Sequence, residues 1–231
     1  MTMDTLPQAI LLGSWFGLLH AFDADHLATI GGLAVRDRSL SPASYALRWA
    51  CGHAAALVAV AAAVLGAGLT RVLELSTYAE LVVCGVLLVL GVQALNAARR
   101  TLSSPHALRR HMAGTAAGHL HFLAPSHSHA APRGRSGILM GLLHGGAGSA
   151  AVLALVPLAR FETGVGSALY LVGFSAGVAL GALAFARVFA AAANRSATAS
   201  ARLGAAFQGA VGMVAIASGA LLLYELTHGG G

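Results

Sequence analysis

Between positions 20 and 26 the chain reads His20-Ala21-Phe22-Asp23-Ala24-Asp25-His26. Two imidazoles and two carboxylates thus fall inside a run of apolar residues long enough to cross a bilayer. A carboxylate at the centre of a membrane helix costs about 2.5–3.5 kcal/mol to insert. Several together persist only where something neutralises them, and a bound divalent cation does so. The plainer role is a polar patch tying helices together. On a continuous helix, His20, Asp23 and His26 sweep roughly 120° and rise about 9 Å, so one ion reaches two of them. All three converge only if the helix is distorted. Asp25 points about 140° from His20. It is expected either to orient a ligating imidazole or to pair with Arg48. Gly31-Gly32 is the place where the helix end is expected to open out.

Two more histidines belong to the same level. His26, His53 and His144 each lie some 10–12 Å from the same membrane boundary when the apolar runs are laid out as helices. They are expected to share one site with His20, Asp23 and Asp25. Gly52, Gly145, Gly146 and Gly148 flank them and are expected to leave room for an ion and its waters. Ser149 offers a hydroxyl, and a loosened helix near it would offer carbonyl oxygens. Imidazole with carboxylate suits nickel, cobalt, zinc or iron(II), whereas calcium and magnesium prefer more oxygens and copper(I) prefers sulfur.

The elements that must position these groups follow from composition. Of 231 residues, 57% are hydrophobic and 10% charged, with mean hydropathy +0.76. That excludes an ordinary soluble domain and predicts an all-α integral membrane protein. Six spans are expected, near 8–33, 45–69, 78–98, 137–159, 165–186 and 203–225. The first is no cleavable signal, because it lacks a basic leader and carries acids within its span. Cys51 and Cys84 fall inside spans and read as small packing residues.

All 14 basic residues are arginine. With alternating spans, Arg71 and Arg160 fall on one side of the membrane and the other twelve on the opposite side. The sidedness rule makes that second side cytoplasmic, with both termini extracytoplasmic and the plasma (inner) membrane as the location. The basic charge is therefore a topology signal and not a nucleic-acid surface. Asp4, Glu74, Glu80, Glu162 and Glu225 lean to the outer face, where they would concentrate cations or simply be solvated.

Gly17-Leu18-Leu19-His20 recurs as Gly141-Leu142-Leu143-His144, and Ala46-Leu47 before Gly52 is echoed by Ala168-Leu169 before Gly173. Each echo falls at the same place in a set of three spans. The expected organisation is two inverted three-helix repeats, residues 1–98 and 137–231, joined by a His-rich cytoplasmic loop, 99–136. Within the loop, His119, His121, His127 and His129 form two His-x-His pairs suited to auxiliary metal binding.

The motif from His20 to His26 resembles the His-x4-Asp-His helix of the nickel/cobalt transporter (NiCoT) superfamily. Cys51-Gly52-His53-Ala54 resembles that family's Gly-His-Ser segment, with Ala54 in place of serine. The run from His144 to Ala150 is similar to a segment of the short, six-span, urease-accessory-like branch. The resemblance covers spans one, two and four; the main family has eight spans. It implies a permease for Ni2+ or Co2+, with His20, Asp25, His26 and His53 handling the metal, and Zn2+ or Fe2+ as lesser candidates.

Export, or a non-transporting role as metal sensor or metalloenzyme maturation factor, stands as the alternative to uptake. No enzyme is expected. The chain has neither a Gly-x4-Gly-Lys-Ser/Thr loop nor His-Glu-x-x-His, and Ser149 lacks a nucleophile turn. No prosthetic group is expected. The partners are the metal ion and the bilayer, with a second copy or an accessory subunit left open.

Overall fold

The computed structural model of the chain describes residues 6–36, 41–67, 69–103, 135–147 and 164–228. Among the described residues it is all-helical, with α1 (Leu6–His20), α2 (Ala24–Arg36), α3 (Pro42–Ala67), α4 (Leu69–Ser103), α5 (Arg135–Gly145), α6 (Gly164–Ala199) and α7 (Ala201–His228). Four stretches are long and apolar enough to cross a membrane: Pro42–Ala63, Thr77–Ser103, Gly164–Ala199 and Ala201–His228.

The first expected span is not one helix. It divides at Ala21–Asp23 into α1, 15 residues, and α2, 13 residues. At 1.5 Å per residue each is roughly 20 Å long, short of a bilayer core of about 30 Å. The break lies inside the acidic motif and not at Gly31-Gly32. Its cause is local. The Asp23 carbonyl accepts the Leu27 amide at 3.0 Å, which makes Asp23 the residue that opens α2. Aspartate is among the residues favoured there. Asp25 sits in the first turn of α2, where a carboxylate meets the positive end of the helix.

Capping also explains the other junctions. Pro42 begins α3 with its fixed φ, after Ser41, whose hydroxyl accepts the Ser44 amide at 3.1 Å. Ser200 alone separates α6 from α7, and its hydroxyl accepts the Leu203 amide at 3.0 Å. Two helices overrun their expected spans. α4 continues past position 98 to Ser103, and α6 continues past 186 through Arg187 and Arg195 to Ala199. Its 36 residues reach about 54 Å, longer than a hydrocarbon core of about 30 Å. The loop histidines, Ser149 and the second part of the fourth expected span lie outside the described residues.

Three close helix pairs build the body: α1 on α6, α5 on α3, and α4 on α7; α2 lies among α3, α4, α6 and α7. The buried stripe of α1 is Ala9, Gly13, Gly17 and His20, while Leu11, Trp15, Phe16 and Leu19 face outward. Small residues at this spacing let backbones touch. A Cβ on Gly13 or Gly17 would run into the backbone of Tyr170 and Phe174 on α6. On the other pair, a Cβ on Gly141 would run into Trp49 and His53 of α3, and one on Gly52 into Ile138 and Leu142 of α5.

The two crossings correspond residue by residue. Gly17 meets Phe174 as Gly141 meets Trp49; Gly177 meets Ser14 and Leu18 as Gly52 meets Ile138 and Leu142. Tyr45 and Tyr170 hold matching places beside Gly137 and Gly13. The register therefore sets Tyr45 against Tyr170 and Trp49 against Phe174. It differs from the Ala46/Ala168 echo expected above, which is out of step with the packing by three residues. The C-terminal ends of α1 and α5 are also alike. Asp23 N–H donates to His20 O at 3.1 Å and Ala147 N–H to His144 O at 3.2 Å.

Candidate metal centre

The break in the first span delivers His20 and His26 to the same place from opposite sides. His20 is the last residue of α1; His26 is in the first turn of α2. Their ring centroids are 4.5 Å apart, and each lies 5.5 Å from the ring of His53 on α3. All three are buried, at 6%, 1% and 0% exposure. One ring nitrogen from each falls within 4.8 Å of the others. An ion with metal–nitrogen bonds of about 2.0–2.1 Å in tetrahedral array separates its ligand nitrogens by roughly 3.3 Å. The trio thus needs to close by about 1.5 Å at most, within reach of small side-chain rotations.

Hydrogen bonds settle which nitrogens are available. His26 Nδ1 lies 3.0 Å from the His20 carbonyl, which only accepts, so Nδ1 donates and Nε2 carries the lone pair. The break itself frees that carbonyl: it accepts both the Asp23 amide and the His26 ring. His20 Nδ1 lies 2.7 Å from Asp23 Oδ2; a neutral ring that donates from Nδ1 there keeps its lone pair on Nε2, which has no hydrogen-bond partner. Both ring nitrogens of His53 lack a partner as well. A buried polar group left unsatisfied costs about 1–3 kcal/mol, and a Lewis acid placed among these nitrogens would remove that cost.

The carboxylates form the more open side. Asp23 is exposed and Asp25 half-buried. With His26 they make a second group whose ligand atoms also lie within 4.8 Å of one another. His26 belongs to both groups. Asp25 Oδ1 accepts the His26 amide at 2.9 Å. It does not pair with Arg48, which is exposed.

His144 is brought alongside, with its ring 5.4 Å from that of His26 and 1% exposed. Its nitrogens are both engaged, Nδ1 with Met140 O at 2.9 Å and Nε2 with Thr29 Oγ1 at 3.1 Å. Two of the flanking glycines do not leave the room expected of them, and Gly148 lies outside the described residues. Gly52 and Gly145 are filled by helix contact, and a Cβ on Gly145 would lie 2.5 Å from His53 O. Gly146 begins the turn that ends α5, its amide donating to Leu142 O at 3.1 Å.

Three residues of the site were not among the expected ones. Trp49 is fully buried, with ring centroids 5.0 Å from His26, 5.2 Å from His53 and 5.9 Å from His144. Phe174 lies 5.5 Å from His20. Thr29 is fully buried against His144. The Trp49-x3-His53 and His26-x2-Thr29 spacings put each pair on one helix face, which is the signal that was available.

An all-helical protein with membrane-length helices and a buried polyhistidine cluster at a helix break is the class that fold and site define. No family model matches the chain, and no solved structure matches it. Among curated proteins, the urease accessory protein UreH of Bacillus sp. (strain TB-90) is similar at 26% identity over 186 residues, 80% of this chain and 77% of that protein.

Proposed function

We propose that the chain is a membrane permease for a divalent transition-metal cation, Ni2+ or Co2+, working by alternating access between two inverted three-helix repeats. The observation that carries this reading is the trio His20, His26 and His53: buried, mutually within reach of one ion, and set at the break of a discontinuous helix. Transporters with inverted repeats place their ion sites at such breaks. The matched α1–α6 and α5–α3 crossings support the repeat, because three spans per repeat reverse the second set relative to the first. Asp23 and Asp25 collect the ion and the histidines strip it of water. Rocking of the two crossings then exposes the trio to the other side. At 100 mV each charge gains about 2.3 kcal/mol, so a dication accumulates roughly 10³-fold without ATP.

Uptake by purified protein in liposomes, across nickel, cobalt, zinc, manganese and iron, tests this. Nickel or cobalt flux that His26→Ala abolishes is the expected result. Metal binding without flux would instead favour a non-transporting maturation factor, the reading to which the name of the UreH relative lends weight. Depletion of metal from expressing cells would favour efflux. Deleting residues 104–134 is expected to leave flux in place.

A further inference from the structure

The two Gly-Leu-Leu-His segments end in the same turn, yet their histidines are bound differently. His20 keeps Nε2 without a partner. His144 has no free nitrogen: Nδ1–H donates to Met140 O, so Nε2 is the acceptor and the Thr29 hydroxyl donates to it. Thr29 lies one turn beyond His26 on α2, and both are buried. α5, which carries His144, is seated on α3 around His53, since Gly141 abuts the His53 amide and Gly145 the His53 carbonyl. A closed path results: His26, one helical turn to Thr29, a hydrogen bond to His144, and a glycine-mediated contact to His53.

We infer that His144 is a positioning residue and not a metal ligand: through Thr29 it sets α2 against α3, and so fixes the distance between His26 and His53. This rests on the three-histidine reading above. The geometry explains why the second repeat keeps its histidine although the positions matching Asp23 and His53 are Ala147 and Val178. The hydrogen bond also crosses between repeats, so the relative position of the two sets is felt at His26.

Glutamine separates the two roles at position 144. Its amide donates to Met140 O and its carbonyl accepts from Thr29, but it is a poor substitute for an imidazole ligand. The test is nickel and cobalt affinity of the full-length purified protein in detergent, with X-ray absorption counting the imidazoles on bound metal. His144→Gln and Thr29→Ser are expected to bind within about 3-fold of wild type. Thr29→Val, which keeps shape and removes the hydroxyl, is expected to weaken binding by about 10–100-fold, the range typical for partners that orient ligands. The imidazole count stays unchanged in all three. If His144→Gln loses an imidazole from the count and binds as poorly as His26→Ala, His144 is a ligand and the inference fails. If Thr29→Val lowers thermal stability but leaves affinity alone, the contact is merely structural and the inference also fails. His53→Ala reports separately on the site: wild-type affinity there would overturn the trio itself. Thr29→Val and His144→Gln are near-isosteric, so the test does not depend on a variant that fails to fold.

Discussion

His20 and His144 hold equivalent places at the ends of two half-helices, and their neighbours decide what each can do. Asp23 beside His20 engages Nδ1 and leaves Nε2 open; Thr29 and Met140 close both nitrogens of His144. Loss of a ligand should therefore exceed the loss of an orienting partner. His53→Ala is expected to reduce metal affinity by more than about 100-fold, against about 10–100-fold for Thr29→Val; equilibrium dialysis with radioactive nickel reads both. Because ligating imidazoles must be unprotonated, binding must weaken as pH falls. Affinity measured as pH is lowered is expected to decline once protons compete for the imidazoles, with proton release on binding in that range. Asp23→Asn is expected to weaken capture, since the neutral amide keeps size but removes the charge that faces both His20 and the open side.

At the scale of elements, glycine is what brings the helices together. Gly17 and Gly141 each lie against a carbonyl of the opposite helix, where a methyl group has no space. Gly17→Ala and Gly141→Ala are expected to lower thermal stability by several degrees and to reduce affinity together with it, since both crossings position the trio. Gly85 on α4 is exposed, and nothing lies within 4 Å of a Cβ built there. Gly85→Ala is expected to be neutral or to stabilise by up to about 1 kcal/mol through helix propensity alone. Thermal unfolding in detergent distinguishes these cases. Equal losses at Gly17 and Gly141 are the mark of equivalent crossings; a loss at one alone would separate them.

For the whole molecule the testable quantity is sidedness. On the topology expected from the arginine bias, the ends of α4 and α6, at Ser103 and Ser200, would be cytoplasmic, and the start of α1 and the end of α7 extracytoplasmic. In a background with Cys51 and Cys84 replaced by alanine, a cysteine at Ser103 or Ser200 is expected to react with a membrane-impermeant maleimide only in inside-out vesicles. One at His228 is expected to react in intact cells. The opposite pattern would invert the topology and, with it, the side from which Asp23 meets its ion.

Much of this protein was legible in the order of its residues. Apolar runs of bilayer length require helices, because only helices satisfy their own backbone in lipid, and four such helices are present. Ionisable groups in such runs mark a site for the same reason, and His20, His26, His53 and His144 do come together. The break at Ala21–Asp23 was hidden because hydropathy counts apolar residues and is blind to an aspartate acting as a helix start. The correspondence of the two crossings was hidden because Ala, Leu and Gly recur too often to align by eye; it is visible in the packing of Gly141 on Trp49 in one crossing and Gly17 on Phe174 in the other. Which nitrogens are free is a matter of ångströms between residues 115 apart in the chain, as Thr29 and His144 are. Composition and spacing determined that charged and imidazole groups must be sheltered within a helical membrane body. Tertiary structure alone decided which of them face one another with open lone pairs, because hydrogen-bond satisfaction depends on neighbours that only folding supplies.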